Sequence, residues 1–353
     1  MKIKLLVVDD SLYIQRLFAD FVADNDDIEL VGIANDPYEA RELIKQLNPD
    51  VITLDIEMPK MNGLAFLEKL MRLHPMPVLM ISSLTEKGAD ATLRAMSLGA
   101  VDFMQKPNVH AIHELKAYAH KFIEKVIAVS QSKNKINSYS FHSAKPVFPN
   151  QQHSDVDLTS SIKLIALGSS TGGTEAVSSI LKSMPSNSPP IVITQHIPPK
   201  FSEAFANRLN NISAINVVEA RDNQQILPGY AYVAPGGYHM EVKANRTLKV
   251  YMGDDVNRHC PSVDVLFDSI AIHAARNSIG VILTGMGKDG ALGLSNMHKH
   301  GATTIAQDEE SSIVWGMPKA AINLGCVDTV TSLEKIPALI QEICSKSINS
   351  SVA

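Results

Sequence analysis

From Lys2 to about residue 125, short apolar runs and amphipathic stretches alternate without a break, and this alternation constrains the fold more than any single motif. The runs are KIKLLVVD, IELVGIA, VITLD, PVLMIS and AVDFMQKP; helical patterns follow from Tyr13, around Ala40, from Leu64, from Ala89 and from His110. Runs this short and this continuously apolar suit strands buried on both faces. Strand and helix in strict succession specify a parallel sheet covered by helices, a doubly wound α/β domain whose ligand site lies beyond the carboxyl ends of its strands.

Between residues 126 and 160 the pattern stops. SQSKNKINSYSFHSAKPVFPNQQHSD is rich in Ser, Asn and Gln and reads as a polar linker that buries no core. Alternation resumes near Ile162 with the strand before Gly168, then PPIVITQH, SIGVILTG and ATTIAQD, with helices around Ser202, Val263 and Leu292. AYVAPGGYHMEVKANRTLKVYM is a hairpin candidate within the same segment. A second, Rossmann-like doubly wound domain with an added β-hairpin is therefore expected over residues 161–345.

Composition narrows the function classes. With 353 residues, 45% of them hydrophobic, the chain is long enough for two cores of this kind. MKIKLLVVDD turns acidic after one short apolar run, unlike a secretory signal, and no stretch is long and apolar enough to insert in a membrane, so a cytoplasmic protein is expected. Cys260, Cys326 and Cys344 are far apart and suggest neither a disulfide framework nor a thiolate metal site. A net charge of −5 without a basic cluster argues against nucleic acid and for a protein or small-molecule partner. Nothing requires more than a monomer.

In the first domain Asp9 and Asp10 follow the first strand, Asp55 closes the third, Ser82 the fourth, and Lys106 the fifth. A parallel sheet gathers these positions on one rim. Clustered carboxylates repel one another unless a cation joins them; oxygen-only ligands suit Mg²⁺, and a neighbouring ammonium makes a phosphoryl group a natural guest. VVDD, LDIEMPKMNG and KP at these spacings resemble a response-regulator receiver domain over residues 1–125, which has a flavodoxin-like fold. The resemblance implies phosphorylation of Asp55 by a partner histidine kinase. It implies Mg²⁺ held by Asp10, Asp55 and the backbone carbonyl of Glu57, with Ser82 and Lys106 contacting the phosphoryl group and Phe103 at an aromatic switch position. Ser82 stands where many receivers carry Thr and keeps the hydroxyl.

In the second domain, Gly168-Ser169-Ser170-Thr171-Gly172-Gly173 leads from a strand into a helix. A small-residue turn of this kind can raise Ser170 as a nucleophile above free helix N–H groups, but the same geometry holds phosphates, so the turn alone leaves hydrolase and nucleotide binder both open. A nucleophilic serine needs a base and an orienting acid. His196 ends PPIVITQH and is followed by a Pro-Pro stop; Asp289 lies in the glycine-rich loop LTGMGKDG after another strand. Arg258, His259, Pro261 and Ser262 are read as wall, His239 stays undecided, and the remaining histidines sit in helical or loop contexts. Gly285 to Gly290 also spell GxGxxG with acids at Asp308 to Glu310, a weak dinucleotide fingerprint that gives Ser170 and His196 no task.

GSSTGGTEA, VITQHIPP, RHCPSVDVLF and LTGMGKDGA together resemble the catalytic domain of chemotaxis protein-glutamate methylesterases, and with a receiver in front the whole chain is similar to the CheB family. The resemblance implies Ser170, His196 and Asp289 as the catalytic triad, the Met286 amide as an oxyanion donor, Thr171 in support, and no cofactor in this domain. It implies glutamate methyl esters on chemoreceptor cytoplasmic helices as substrate, and deamidation of receptor glutamines. Ser169 replaces the Ala common before the nucleophile. The linker would let the receiver cover the catalytic cleft until Asp55 is phosphorylated. The alternative is a response regulator whose output domain is non-catalytic or binds a dinucleotide.

Overall fold

A computed structural model of the chain describes residues 1–58, 60–83, 85–107, 112–135 and 163–349. The chain divides into two compact units, 1–141 and 142–353.

The first unit alternates β1 (Ile3–Val8), α1 (Leu12–Val22), β2 (Ile28–Ala34), α2 (Pro37–Leu47), β3 (Val51–Asp55), α3 (Gly63–Leu73), β4 (Val78–Ser82), α4 (Glu86–Ser97), β5 (Asp102–Gln105) and α5 (Ile112–Ser130). The sheet order is β2-β1-β3-β4-β5 with every pair parallel. β3 and β4 are buried at every position, as apolar runs covered on both faces must be. Helix starts follow side-chain chemistry: Asp36 accepts from the amides of Tyr38 and Glu39, Asn62 from Leu64, and Thr85 from Gly88.

Helix α5 runs past residue 125, where the polar segment is expected to begin, and ends in a 3₁₀ turn at Gln131–Asn134. Val126, Ala128 and Val129 are fully buried, and Phe122 one turn earlier stacks on Phe18 with ring centroids 4.3 Å apart. The apolar face of the helix thus outlasts the point at which overall composition turns polar. Residues 136–160 of the expected linker lie outside the described residues, as does the expected helix start at His110.

The second unit runs β6 (Leu164–Ser169), α6 (Gly173–Lys182), β7 (Ile191–Gln195), α7 (Phe201–Ile212), β8 (Asn216–Glu219), β9 (Tyr230–Val233), β10 (His239–Val242), β11 (Leu248–Tyr251), α8 (Val263–His273), β12 (Ser278–Ile282), α9 (Ala291–Lys299), β13 (Thr303–Gln307), α10 (Met317–Asn323), β14 (Thr329–Thr331) and α11 (Ile336–Asn349). Its sheet is parallel throughout, in the order β14-β13-β12-β6-β7-β9-β8. The hairpin is shorter than the sequence suggests. Its two arms are β10 and β11, which pair antiparallel, whereas Tyr230–Val233 lies between β7 and β8 in the main sheet. Gly237, in the left-handed region (φ 82°), lies in the turn that joins β9 to β10.

The chain enters each sheet near its centre and builds outward on both sides. The crossover points fall between β1 and β3 in one unit and between β6 and β12 in the other, the crevices where doubly wound sheets bind ligands. Among the described residues, no helix is long and apolar enough to cross a membrane.

Candidate functional site

At the crevice of the first unit, carboxylate oxygens of Asp9, Asp10 and Asp55 lie within 4.8 Å of one another. Asp9 and Asp55 are each 1% exposed, whereas Asp10 is exposed. Lys106 Nζ stands 2.8 Å from Asp55 Oδ2 and 3.1 Å from Asp9 Oδ2 and donates to Asp9 Oδ1 at 3.3 Å, while neither buried Oδ2 accepts a well-aligned hydrogen bond. Burial, then the charge of Asp9, pushes Asp55 up to about 6 against the pull of Lys106. Burial likewise raises Asp9. Burial opposes the Lys106 ammonium, but its two carboxylate partners outweigh that and hold its pKa above the ordinary value.

Buried carboxylate oxygens that accept no well-aligned hydrogen bond, in an all-oxygen set, fit a hard divalent cation. Ser82 is fully buried beside this rim, its hydroxyl donating to the carbonyl of Gly88 at 3.2 Å. Phe103 is buried on β5.

In the second unit Ser170 follows β6, His196 follows β7 and Asp289 lies in the loop after β12, so three adjacent strands deliver the three side chains to one rim. His196 Nδ1 is 3.1 Å from Ser170 Oγ, and His196 Nε2 is 2.8 Å from Asp289 Oδ2. Asp289 is 2% exposed. Its Oδ2 also accepts from the Val263 amide, and its Oδ1 accepts from Ser262 Oγ at 2.7 Å and Asn257 Nδ2 at 2.8 Å. Burial alone would raise this carboxyl, yet the bond and charge of His196, with those of Asn257 and Ser262, hold it below the usual carboxylate range.

The turn itself differs from a strained elbow. Its left-handed residue is Gly172 (φ 76°), two positions after Ser170, and a Cβ there would meet Ile313 at 2.7 Å. The Ser170 amide donates to the carbonyl of Thr284, two residues beyond β12. Thr171 is buried, and its carbonyl accepts from Thr284 Oγ1. Met286 is half-buried on the loop, and its amide donates to no acceptor among the described residues. Two of the GxGxxG glycines serve close packing: a Cβ on Gly285 would stand 2.7 Å from Ser170 Cβ, and one on Gly290 would stand 2.4 Å from Val263 Cγ1, whereas Gly287 faces open space and takes a positive φ of 84°.

Four residues have more structural weight than sequence reasoning assigned them. Ser262, read as wall, bonds directly to Asp289. Asn257, in the left-handed region at φ 52°, gives its amide both to Asp289 and to Asp264 Oδ2 at 2.7 Å. Burial pushes Asp264 up to about 6, helped by the charge of Asp289 and opposed by the Gly293 amide and Asn257. His259, also read as wall, stacks on His196 with ring centroids 3.6 Å apart and planes 14° from parallel. Gln195, one residue before His196, is 3% exposed and donates to the carbonyls of both Ser170 and His196. His239 is buried and bonds to the Asp254 carbonyl, a support for the loop. A short polar side chain tolerant of positive φ is the single sequence signal Asn257 offers, and it is a common one.

Fold and geometry define a two-domain α/β protein that carries a phosphoacceptor-like acid cluster in one unit and a Ser-His-Asp array of the serine-hydrolase kind in the other. Residues 5–119 match the response regulator receiver domain family, and residues 165–340 match the CheB methylesterase family. The chain is 50% identical over 338 residues, 95% of each chain, to the protein-glutamate methylesterase/protein-glutamine glutaminase of Salmonella typhimurium. It is 49% identical, over the same length and shares, to that of Escherichia coli O157:H7. The crystal structure of the Thermotoga maritima CheB methylesterase catalytic domain is 40% identical, with a TM-score of 0.50, covering 52% of this chain and 98% of that one. The chain belongs to the CheB family of receiver-linked methylesterases.

Proposed function

We propose that this protein is a phosphorylation-regulated protein-glutamate methylesterase that hydrolyses glutamate methyl esters on chemoreceptors in chemotaxis adaptation, and that it deamidates receptor glutamines by the same chemistry. The hydrogen-bonded line Asp289–His196–Ser170, with contacts of 2.8 and 3.1 Å, carries this reading.

The imidazole donates Nε2–H to Asp289 and presents a bare Nδ1 to the Ser170 hydroxyl. Ser170 Oγ attacks the ester carbonyl as its proton passes to Nδ1, and the imidazolium formed is stabilised by Asp289. The carbonyl oxygen becomes an oxyanion, to which the Met286 amide is suited to donate; one such donor is worth about 3 kcal/mol of barrier. Nδ1–H then protonates the departing methoxide, methanol leaves, and an acyl-Ser170 ester remains. Water attacks that ester and gives one proton to Nδ1, that proton passes to Ser170 Oγ as the acyl bond breaks, and the glutamic acid formed loses its remaining proton to solvent and leaves as the carboxylate. With a glutamine substrate, ammonia leaves in place of methanol. Thr171 supports the turn that carries Ser170.

In the receiver, Asp10, Asp55 and the carbonyl of Glu57 would hold Mg²⁺, which supplies charge neutralisation between the carboxylates and an incoming phosphoryl group. An Asp55 carboxylate oxygen attacks the phosphorus of a kinase phosphohistidine and the histidine departs. Lys106 pairs with the new negative charge, and the Ser82 hydroxyl turns from the Gly88 carbonyl to the phosphoryl oxygens. The added charge lifts a block on the esterase imposed by the receiver.

Methanol release from methylated receptor membranes, measured with and without a small phosphodonor, tests the whole reading. Release that requires Ser170 and rises with the phosphodonor is expected; no release under either condition would sink it.

A further inference from the structure

We propose that Gln195 is a positioning residue that sets the backbones of the nucleophile and the base together, and that Ser169 holds its amide in the working orientation. This rests on the triad reading above. Gln195 Oε1 accepts from Ser169 Oγ at 2.6 Å, while Nε2 donates to the Ser170 carbonyl at 2.9 Å and the His196 carbonyl at 3.2 Å. Ser169 is fully buried, and its hydroxyl is spent on Gln195. One side chain on β7 therefore binds the peptide after Ser170 and the peptide after His196.

The consequence follows from peptide geometry. The Ser170–Thr171 bond is trans, so fixing the Ser170 carbonyl toward Gln195 and the Gly173 amide, the latter at 2.8 Å, sends the Thr171 N–H the opposite way. The same bonds limit how far Ser170 and His196 can move apart. The path of the Gln195 amide also explains Gly173: a Cβ there would stand 2.2 Å from Gln195 Oε1 and 2.6 Å from Ser169 Cβ. Ser169, placed where the resemblance leads one to expect Ala, thus takes up the one Gln195 atom that cannot donate to a carbonyl.

The test is steady-state methanol release by the full chain from methylated receptor membranes, with thermal unfolding of the second unit followed in parallel. Gln195→Met keeps the side-chain volume and removes both donated bonds. It should lower kcat about 10- to 100-fold with KM within about threefold, as expected for misplaced reacting groups. Ser169→Ala leaves the two donated bonds in place and should lower kcat by a smaller factor, about two- to fivefold. If Gln195→Met fails to fold, Gln195→Glu, which keeps the acceptor for Ser169 but not the donors, should show the same loss in kcat. A Gln195 variant that folds and keeps kcat within about twofold, or that loses activity through KM alone, overturns the proposal. Ser170→Ala run alongside separates the two failures: activity surviving there sinks the triad reading, whereas activity lost there and kept in Gln195→Met sinks this inference alone.

Discussion

His196 Nε2 and Asp289 Oδ2 are 2.8 Å apart, so the imidazole carries its proton on the Asp289 side and turns its bare Nδ1 edge to Ser170. Asp289→Asn would offer an amide N–H or a weaker acceptor where a carboxylate now stands, and the wrong tautomer follows. A fall in kcat of about 10³- to 10⁴-fold is expected by steady-state methanol release. Because the Asp289 carboxyl is depressed below its ordinary range, its contribution to stability is present above that range and is lost as pH falls through the folded value. The stability difference between wild type and Asp289→Asn, read by denaturant titration, should therefore shrink toward strong acid.

The adjacent hydroxyls of Ser169 and Ser170 are not equivalent. Ser169 Oγ is buried and committed to Gln195, and Ser170 Oγ alone reaches His196. Ser170→Ala should abolish turnover, by at least about 10⁴-fold, while Ser169 stays in place. Turnover persisting in Ser170→Ala would show that the neighbouring hydroxyl can substitute.

Asp55 is raised to about 6 by burial and by Asp9, so the folded receiver holds a proton there that the unfolded chain releases near pH 4. The sign is fixed: stability falls as pH rises from about 4 to about 6, and the full cost of ionising Asp55 persists above that, up to about 3 kcal/mol. Asp55→Asn should therefore stabilise the first unit at pH 7.5 and change it little at pH about 4, as read by its thermal transition. Millimolar MgCl₂ should raise the same transition in the wild type and much less in Asp55→Asn.

Gly173→Ala tests the packing beneath the turn. The added methyl would stand 2.2 Å from Gln195 Oε1, closer than any relaxed contact, so the Gln195 amide must move. A cost of about 1–3 kcal/mol in unfolding free energy is expected, together with a fall in kcat. Unchanged kcat with reduced stability would divorce the amide from catalysis.

Regulation by the receiver makes a separate demand. Residues from about 155 onward, expressed alone, should release methanol faster than the unphosphorylated full chain. Equal rates from the two would remove the inhibitory role of the first unit.

Much of the molecule was legible in one dimension. β3 and β4 announce themselves as VITLD and PVLMIS because a strand buried on both faces must be apolar at every position. The edges read less well. Tyr230–Val233 looked like a hairpin arm, and only its pairing between β7 and β8 assigns it to the sheet, since local alternation is the same for a strand in either place. Helix α5 outran the polar turn in composition because burial of Val126 and Val129 needs one apolar face, not an apolar segment.

By itself the sequence determined two doubly wound domains and the strand ends that carry Asp55, Ser170, His196 and Asp289, because topology sends such residues to one rim wherever strands run parallel. Tertiary structure decided what no spacing encodes. It set which edge of His196 meets Ser170, brought Asn257 and Ser262 from a distant loop to Asp289, and stacked His259 on the imidazole. It also buried Ser169 against Gln195 while leaving Ser170 at the rim. Those contacts depend on side-chain direction and on loops folding back over the sheet, quantities fixed by packing in three dimensions and not by order along the chain.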